Sequence, residues 1–227
     1  MIFYAPECTY NTTSYTLSES ESKHCIKVLR NTKGNNIEII NGKGIQLTCK
    51  IIDDHYKRCK VEVVSRKEHL DDAKNIHIAM AIPKSSERLE WFMEKATEIG
   101  INRLSLLNCE HSERRSFNHK RLEKITIAAL KQCKRYHLPM IDSVVSYKEF
   151  IKTHTKGYIG HCNLEQKIHA KEMNKTLPFL IGPEGDFSSK EIKKAIESGY
   201  IAVDLSNNRL RTETAALSAV FYLSILV

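Results

Sequence analysis

The sequence predicts an α/β chain in two parts: a small β-rich N-terminal domain, then a larger domain in which strands and helices alternate. Three observations carry this. Residues 37–40, 45–52 and 60–65 are short runs of alternating apolar residues grouped around Asn41-Gly42-Lys43-Gly44, and an Asn-Gly turn between such runs is a strong hairpin signal. From residue 76 the period changes, with strand-like runs at 76–82, 104–109, 157–161, 177–181 and 200–205 separated by helical patterns. That alternation argues for a mostly parallel sheet with helices on both faces. At 227 residues the chain is somewhat longer than one ordinary domain, and the polar stretch 66–75 is the expected linker, giving domains at 1–70 and 71–227.

The elements follow in order. After a short opening strand, Ser18-Glu19-Ser20-Glu21 reads as a capping box that opens a helix burying Cys25, Ile26, Val28 and Leu29. The hairpin strands then suggest a small barrel. In the larger domain, Leu89, Phe92, Met93, Ala96 and Ile99 recur at helical spacing, and Gly100 ends that helix. Further helices are expected over 119–135, over 189–198 with a stop at Gly199, and over the apolar C-terminus, where Thr212 or Thr214 can cap.

Composition narrows the class of protein. With 41% hydrophobic and 27% charged residues and no run of about 18 apolar residues, the chain reads as soluble and globular, with no membrane span. The first ten residues carry neither a basic region nor an apolar one of the secretory kind, so a cytoplasmic location is expected. Seven scattered cysteines form no C-x-x-C pair, which argues against zinc, any other metal centre and a disulfide framework. Cys162 is expected to be a half-buried strand residue. The net charge of +8 is unevenly spread, because residues 111–137 hold eight basic side chains against only Glu113 and Glu123. A clustered basic segment suits a polyphosphate backbone.

Two loops carry the chemistry. Leu180-Ile181-Gly182-Pro183-Glu184-Gly185-Asp186-Phe187 lies between an apolar strand and a second capping box, Ser188-Ser189-Lys190-Glu191. It lacks the Lys and Ser/Thr of a phosphate loop, and Glu184 and Asp186 would repel phosphate, so a neutral or cationic ligand fits better. Leu205-Ser206-Asn207-Asn208-Arg209-Leu210-Arg211-Thr212-Glu213-Thr214-Ala215-Ala216 stands at the mouth of the apolar terminal helix. Each follows a strand, and ligands of open α/β sheets bind beyond the carboxyl ends of strands.

Read together, the two loops resemble those of the knotted SPOUT methyltransferases, specifically the RsmE type of 16S rRNA (uracil-N3) methyltransferase. Further words agree along most of the chain: His24-Cys25-Ile26-Lys27-Val28-Leu29-Arg30, Lys84 with Arg88-Leu89-Glu90-Trp91, Glu94-Lys95-Ala96-Thr97-Glu98-Ile99-Gly100, Ser112-Glu113-Arg114, and 128–135 leading to Pro139. The resemblance implies a PUA-like β-barrel at 1–70, a SPOUT domain with a trefoil knot at 71–227, S-adenosylmethionine as methyl donor and a homodimer. It departs from the family's pattern at Ser206, where glycine is common, at Asn207-Asn208, and at Lys134, where small residues are frequent.

Carried over by position, Leu180, Ile181, Gly182, Pro183, Glu184 and Gly185, with Leu205, Ser206, Leu210, Thr214 and Ala215, would hold the cofactor, and Ile159 and His161 would add a third wall. The chemistry of N3 methylation makes Arg211 the first candidate to bind a uracil carbonyl oxygen as negative charge develops, and Glu213 or Glu184 the candidate acceptor of the N3 proton, each being equally suited to a structural hydrogen bond. Arg30, Lys84, Arg88, Arg114, Arg115, Lys131 and Arg135 would hold phosphates of 16S rRNA or of the small ribosomal subunit. The same fold acting on transfer RNA or on ribose 2′-oxygens, and a non-catalytic RNA-binding protein, are the alternatives.

Overall fold

The computed structural model describes residues 2–70, 75–163 and 166–226. Two compact units divide the chain, Met1–Asp72 with Leu130–Leu138, and Ala73–Ala129 with Pro139–Val227. Residues 71–74, part of the expected linker, lie outside the described residues.

The first unit holds β1 (Ile2–Tyr4), β2 (Ser14–Thr16), α1 (Glu19–Lys23), β3 (Asn36–Ile40), β4 (Ile45–Asp53) and β5 (Lys60–Glu68). Its strands form one curled sheet, a half-barrel, in the order β1-β3-β4-β5-β2. Ile45, Leu47, Cys49 and Ile51 alternate inward along β4 and pack with Phe3, Leu17, Ile37, Ile39 and Val61. Register shifts at Thr48/Cys49 and Ile51/Asp53 supply the bulges that let a strand bend. β5 runs three residues past its expected end, because Arg66, Lys67 and Glu68 stay paired with Leu47, Gln46 and Ile45 of β4. Their side chains are exposed, which made a strand read as linker.

The turn at 41–44 is built as its sequence implies. Asn41 Oδ1 accepts from the backbone of Lys43 and Ile45, while Gly42 and Gly44 take φ of 72° and 93°. A Cβ on Gly44 would lie 2.5 Å from the His69 carbonyl, so only glycine fits there. Tyr136 and Leu138 pair with this turn, Gly44 N–H donating to Tyr136 O and Leu138 N–H to Gly42 O, which places Leu130–Leu138 in this unit.

One expectation fails in α1. Beyond Lys23 the chain winds as a π-helix over His24–Val28, with Leu29 N–H donating to His24 O at 3.0 Å. The wider turn keeps Cys25 buried but leaves Val28 66% exposed. Ser18 caps the Glu21 N–H as expected, yet the Glu21 carboxylate reaches Lys131 at 3.1 Å.

The second unit is a sheet of eight parallel strands: β6 (His77–Ala81), β7 (Arg103–Asn108), β8 (Met140–Ile141), β9 (Val145–Ser146), β10 (Gly157–Gly160), β11 (Ile168–His169), β12 (Phe179–Ile181) and β13 (Tyr200–Asp204). The order is β11-β13-β10-β12-β6-β7-β8, with β9 also on β7. The helices are α2 (Ser86–Ile99), α3 (His119–Cys133, whose last turn belongs to the first unit), α4 (Tyr147–Thr153), α5 (Ser189–Glu197) and α6 (Thr212–Ser224). Two apolar cores cover the two sheet faces. One joins Ile78, Met80, Phe179 and Ile181 to Leu89, Phe92 and Met93 of α2 and Ala216, Ala219 and Val220 of α6. The other joins Ala79, Ile159 and Leu180 to Phe150 of α4 and Ile192 of α5. This is the expected layering. The short elements β8, β9, α4 and β11 were not anticipated.

Candidate active site

β13, β10 and β12 are neighbours in the sheet and parallel, so their carboxyl ends open on one edge. The loops that leave them line a cavity of about 1090 Å³. Its size and place match the crevice that open α/β sheets use for ligands.

The glycine loop is held by specific ties. A Cβ on Gly182 would come within 3.0 Å of the Phe187 backbone nitrogen, so the turn folds directly back on Phe187. Asp186, at φ 65°, accepts from Cys162 N–H at 2.7 Å and from its neighbour Phe187 N–H at 2.8 Å, which joins this loop to the one after β10. Ser188 and Glu191 form the complete capping box expected at α5. Glu184 Oε1 accepts from Lys84 N–H at 3.0 Å, and Arg209 reaches the Glu184 carbonyl from the third loop. The acidic residues that argued against phosphate therefore also tie the loops together.

Of the residues expected to hold a cofactor, Ile181, Gly182, Pro183, Glu184, His161, Leu205, Ser206, Leu210 and Ala215 line this cavity. Ile159 and Leu180 do not. Adjacent strand residues point to opposite faces, and these two are buried in the core shared with α4 and α5. Gly185 faces the His111 side chain, 3.3 Å from where its Cβ would stand. Thr214 lines a second, smaller cavity of about 240 Å³ with Arg88, Trp91, Arg211 and Glu213, while Thr212 lines the larger one. Neither threonine caps α6. Arg211 is its N-cap residue, without a side-chain cap bond. Cys162 lies past the end of β10 and is exposed, correcting its reading as a half-buried strand residue. Partial burial and the nearby Asp186 push its thiol pKa up, away from nucleophilic character.

Lys167, His169, Glu172 and Asp204 also line the large cavity and were missed. The His169–Glu172 spacing was a usable signal, since those two residues make a capping box on a short 3₁₀ turn.

The acids proposed for proton transfer share one cation. Arg88 Nε lies 3.6 Å from Glu213 Oε1, and Arg88 Nη1 lies 3.8 Å from Glu184 Oε1. Glu213 is only 6% exposed, and its Oε2 has no hydrogen-bond partner among the described residues. The residues expected to meet phosphates fall on both units. In the second, Lys84 pairs with Glu113, Arg114 donates to the carbonyls of Ser116 and Lys84, and Arg115 is exposed. In the first, Arg30 is exposed at φ 57°, Arg135 is half-buried and Lys131 is paired with Glu21.

The lining fits the implied methyl donor. Ile181, Val203, Leu205, Leu210 and Ala215 give an apolar wall for a flat heterocycle, and Glu172, Glu184, Asp186 and Asp204 suit hydroxyls, an ammonium and a sulfonium. Among the described residues there is no cluster of His, Cys, Asp or Glu that could hold a metal ion.

Comparison with known proteins agrees with this architecture. Residues 71–224 match the family described as an RNA methyltransferase domain, and residues 17–64 match an RNA methyltransferase PUA domain. The chain belongs to this RNA methyltransferase family, with a PUA domain ahead of a SPOUT domain. Within it, the chain is 31% identical to the ribosomal RNA small subunit methyltransferase E of Buchnera aphidicola subsp. Acyrthosiphon pisum, over 91% of this chain and 85% of that protein. A solved Porphyromonas gingivalis protein is 32% identical with a TM-score of 0.88, covering 99% of this chain and 97% of its own. The ribosomal RNA small subunit methyltransferase E of Neisseria gonorrhoeae, solved bound to S-adenosyl methionine, is 26% identical with a TM-score of 0.85, covering 96% and 94%.

Proposed function

We propose that this protein methylates N3 of uridine in 16S rRNA, using S-adenosylmethionine as donor. The chain is an S-adenosylmethionine-dependent rRNA methyltransferase acting on the small subunit. The observation that carries the reading is the cavity at the joined ends of β10, β12 and β13, bordered at Arg211 by a second, smaller cavity. A donor chamber and an acceptor chamber sharing a wall are what methyl transfer between two bound molecules needs.

S-adenosylmethionine, when bound, supplies an electrophilic methyl group on a positively charged sulfur. The chain's own residues do the rest. The glycine loop, with Leu205, Ser206, Leu210 and Ala215, holds the donor, and Arg211 stabilises the uracil oxygen as charge develops. The exposed cations Arg115, Lys84 and Arg30 meet phosphates. The trefoil knot and the homodimer belong to the same reading, and Phe221 and Ile225, 52% and 54% exposed at the end of the chain, support the dimer. No helix among the described residues is long and apolar enough to cross a membrane, and the proposed site of action is the cytoplasm.

The test is to incubate the purified chain with small ribosomal subunits, with naked 16S rRNA and with transfer RNA, each with S-adenosylmethionine carrying a labelled methyl group. Nuclease digestion and mass spectrometry then identify the product. Labelled 3-methyluridine in 16S rRNA is expected. Label only in transfer RNA, or only on ribose oxygens, would overturn the uracil-N3 reading.

A further inference from the structure

We propose that the smaller cavity receives the uracil being methylated, with Trp91 as its stacking platform and Glu213 Oε2 as the atom that takes the N3 proton. This rests on the methyltransferase reading above and adds to it a substrate site, a base and a source of specificity.

Geometry separates the two candidate carboxylates. Glu184 is engaged in holding the loops: its Oε1 accepts from Lys84 N–H and faces Arg88, and its carbonyl accepts from Arg209. Glu213 faces Arg88 through Oε1 alone, while Oε2 is fully buried with no hydrogen-bond partner among the described residues. A buried carboxylate oxygen left without a donor is costly, and Glu213 belongs to the lining of a cavity whose occupant could supply one. The cavity is lined by Arg88, Trp91, Arg211, Glu213 and Thr214.

These side chains complement one base. The uracil edge presents carbonyl, N3–H and carbonyl, acceptor-donor-acceptor, and two guanidinium groups with a carboxylate oxygen present the reverse. Cytosine offers an unprotonated N3 at the same place, and a carboxylate facing that lone pair repels it. Trp91 is 44% exposed on α2, and an indole at the mouth of such a cavity offers a face to an unstacked base. Arg211 lines both cavities, so the acceptor lies beside the donor site.

The step balances. The N3–H proton passes to Glu213 Oε2, the nitrogen electron pair forms the new bond to the methyl carbon, and the pair from the broken carbon–sulfur bond stays on sulfur. Glu213 afterwards releases the proton to solvent.

Trp91 is the chain's only tryptophan, so its emission reports on this cavity alone. The probes are short oligouridylate, oligocytidylate and oligo(3-methyluridylate), titrated into the full-length protein with the demethylated cofactor present. Saturable quenching by oligouridylate is expected, with the other two binding on the order of tenfold or more weaker. Glu213→Gln, whose amide can both accept and donate, should bring uridylate and cytidylate to similar affinity. It should also slow single-turnover methylation on the order of a hundredfold, with partial recovery as pH rises and hydroxide removes the proton. Trp91→Phe should keep quenching-independent affinity, measured by calorimetry, near wild type, and Trp91→Ala should lose it, which gives a second reading if Glu213→Gln does not fold. Emission unmoved by saturating oligouridylate, or a wild-type single-turnover rate in Glu213→Gln, would overturn this assignment while 3-methyluridine formation stood. Failure of the wild-type protein to make 3-methyluridine would instead overturn the function on which it rests.

Discussion

Gly182 and Gly185 stand three residues apart and do different work. At Gly182 an added Cβ would press on the Phe187 backbone nitrogen at 3.0 Å, and backbone cannot swing aside. At Gly185 it would meet the side chain of the exposed His111, with Cβ at 3.3 Å and Cγ at 3.8 Å, and no backbone atom among the nearest. Gly182→Ala should therefore cost about 1–3 kcal/mol and weaken S-adenosylmethionine binding, while Gly185→Ala should change stability by less than about 1 kcal/mol. Urea denaturation and calorimetry decide this, and equal costs at the two positions would refute it. His77 gives a second residue-level test. It is 5% exposed, bonded through Nε2 to Ser105 at 2.8 Å, and burial, then Arg103 and His154, push its pKa down to about 4. The unfolded chain takes up a proton near pH 6.5 while the folded one resists to about 4, so stability is full above 6.5 and falls as pH drops through that window. The loss is on the order of 3 kcal/mol. Denaturation curves of wild type and His77→Gln at pH 7 and pH 4 should diverge by most of that amount, and parallel losses would show that His77 is not responsible. Sequence reasoning found the glycine loop but not its reasons, because the contacts with Phe187 and His111 are tertiary.

Elements were legible where period and caps agreed, as in α2 with its Gly100 stop and α5 with its complete Ser188–Glu191 box. They were not where local geometry broke the period. The π-helix at His24–Val28 carries the same residues an α-helix would, and nothing in their order announces the wider turn in which Cys25 is buried and Val28 exposed. Strands of two residues, such as β8 and β9, are too short to show alternation. Lys134 was noted in sequence only as an unusual residue for its place, and the structure supplies the reason. It follows the end of α3 with φ 57°, the left-handed conformation in which helices commonly end on glycine. A side chain there costs roughly 1–2 kcal/mol, partly offset by the entropy glycine loses on folding. Lys134→Gly should stabilise the protein by up to about 1 kcal/mol in urea denaturation, and a destabilised variant would mean that the lysine side chain makes compensating contacts.

At the scale of the whole molecule, the basic excess was visible in the sequence but its use was not. Eight cations between residues 111 and 137 read as one surface, yet Arg121 pairs with Glu90, Lys131 with Glu21, and Arg114 donates to two backbone carbonyls. Those side chains are partly spent on the fold. Arg115 is exposed, two residues beyond the Glu113 that pairs with Lys84, which makes it the cleaner probe of RNA binding. Each phosphate contact releases condensed counterions, so losing one should weaken binding at low salt and flatten the dependence of affinity on salt concentration by about one unit of slope. Arg115→Ala should do both, with S-adenosylmethionine affinity and thermal stability near wild type. Arg114→Ala should lower stability as well, because its backbone bonds go with it. Fluorescence anisotropy with a labelled 16S rRNA fragment across a salt series measures the slopes. An Arg115→Ala slope equal to that of wild type would show that its charge is only a solvated one, leaving Lys84 and Arg30 as the exposed cations to test next.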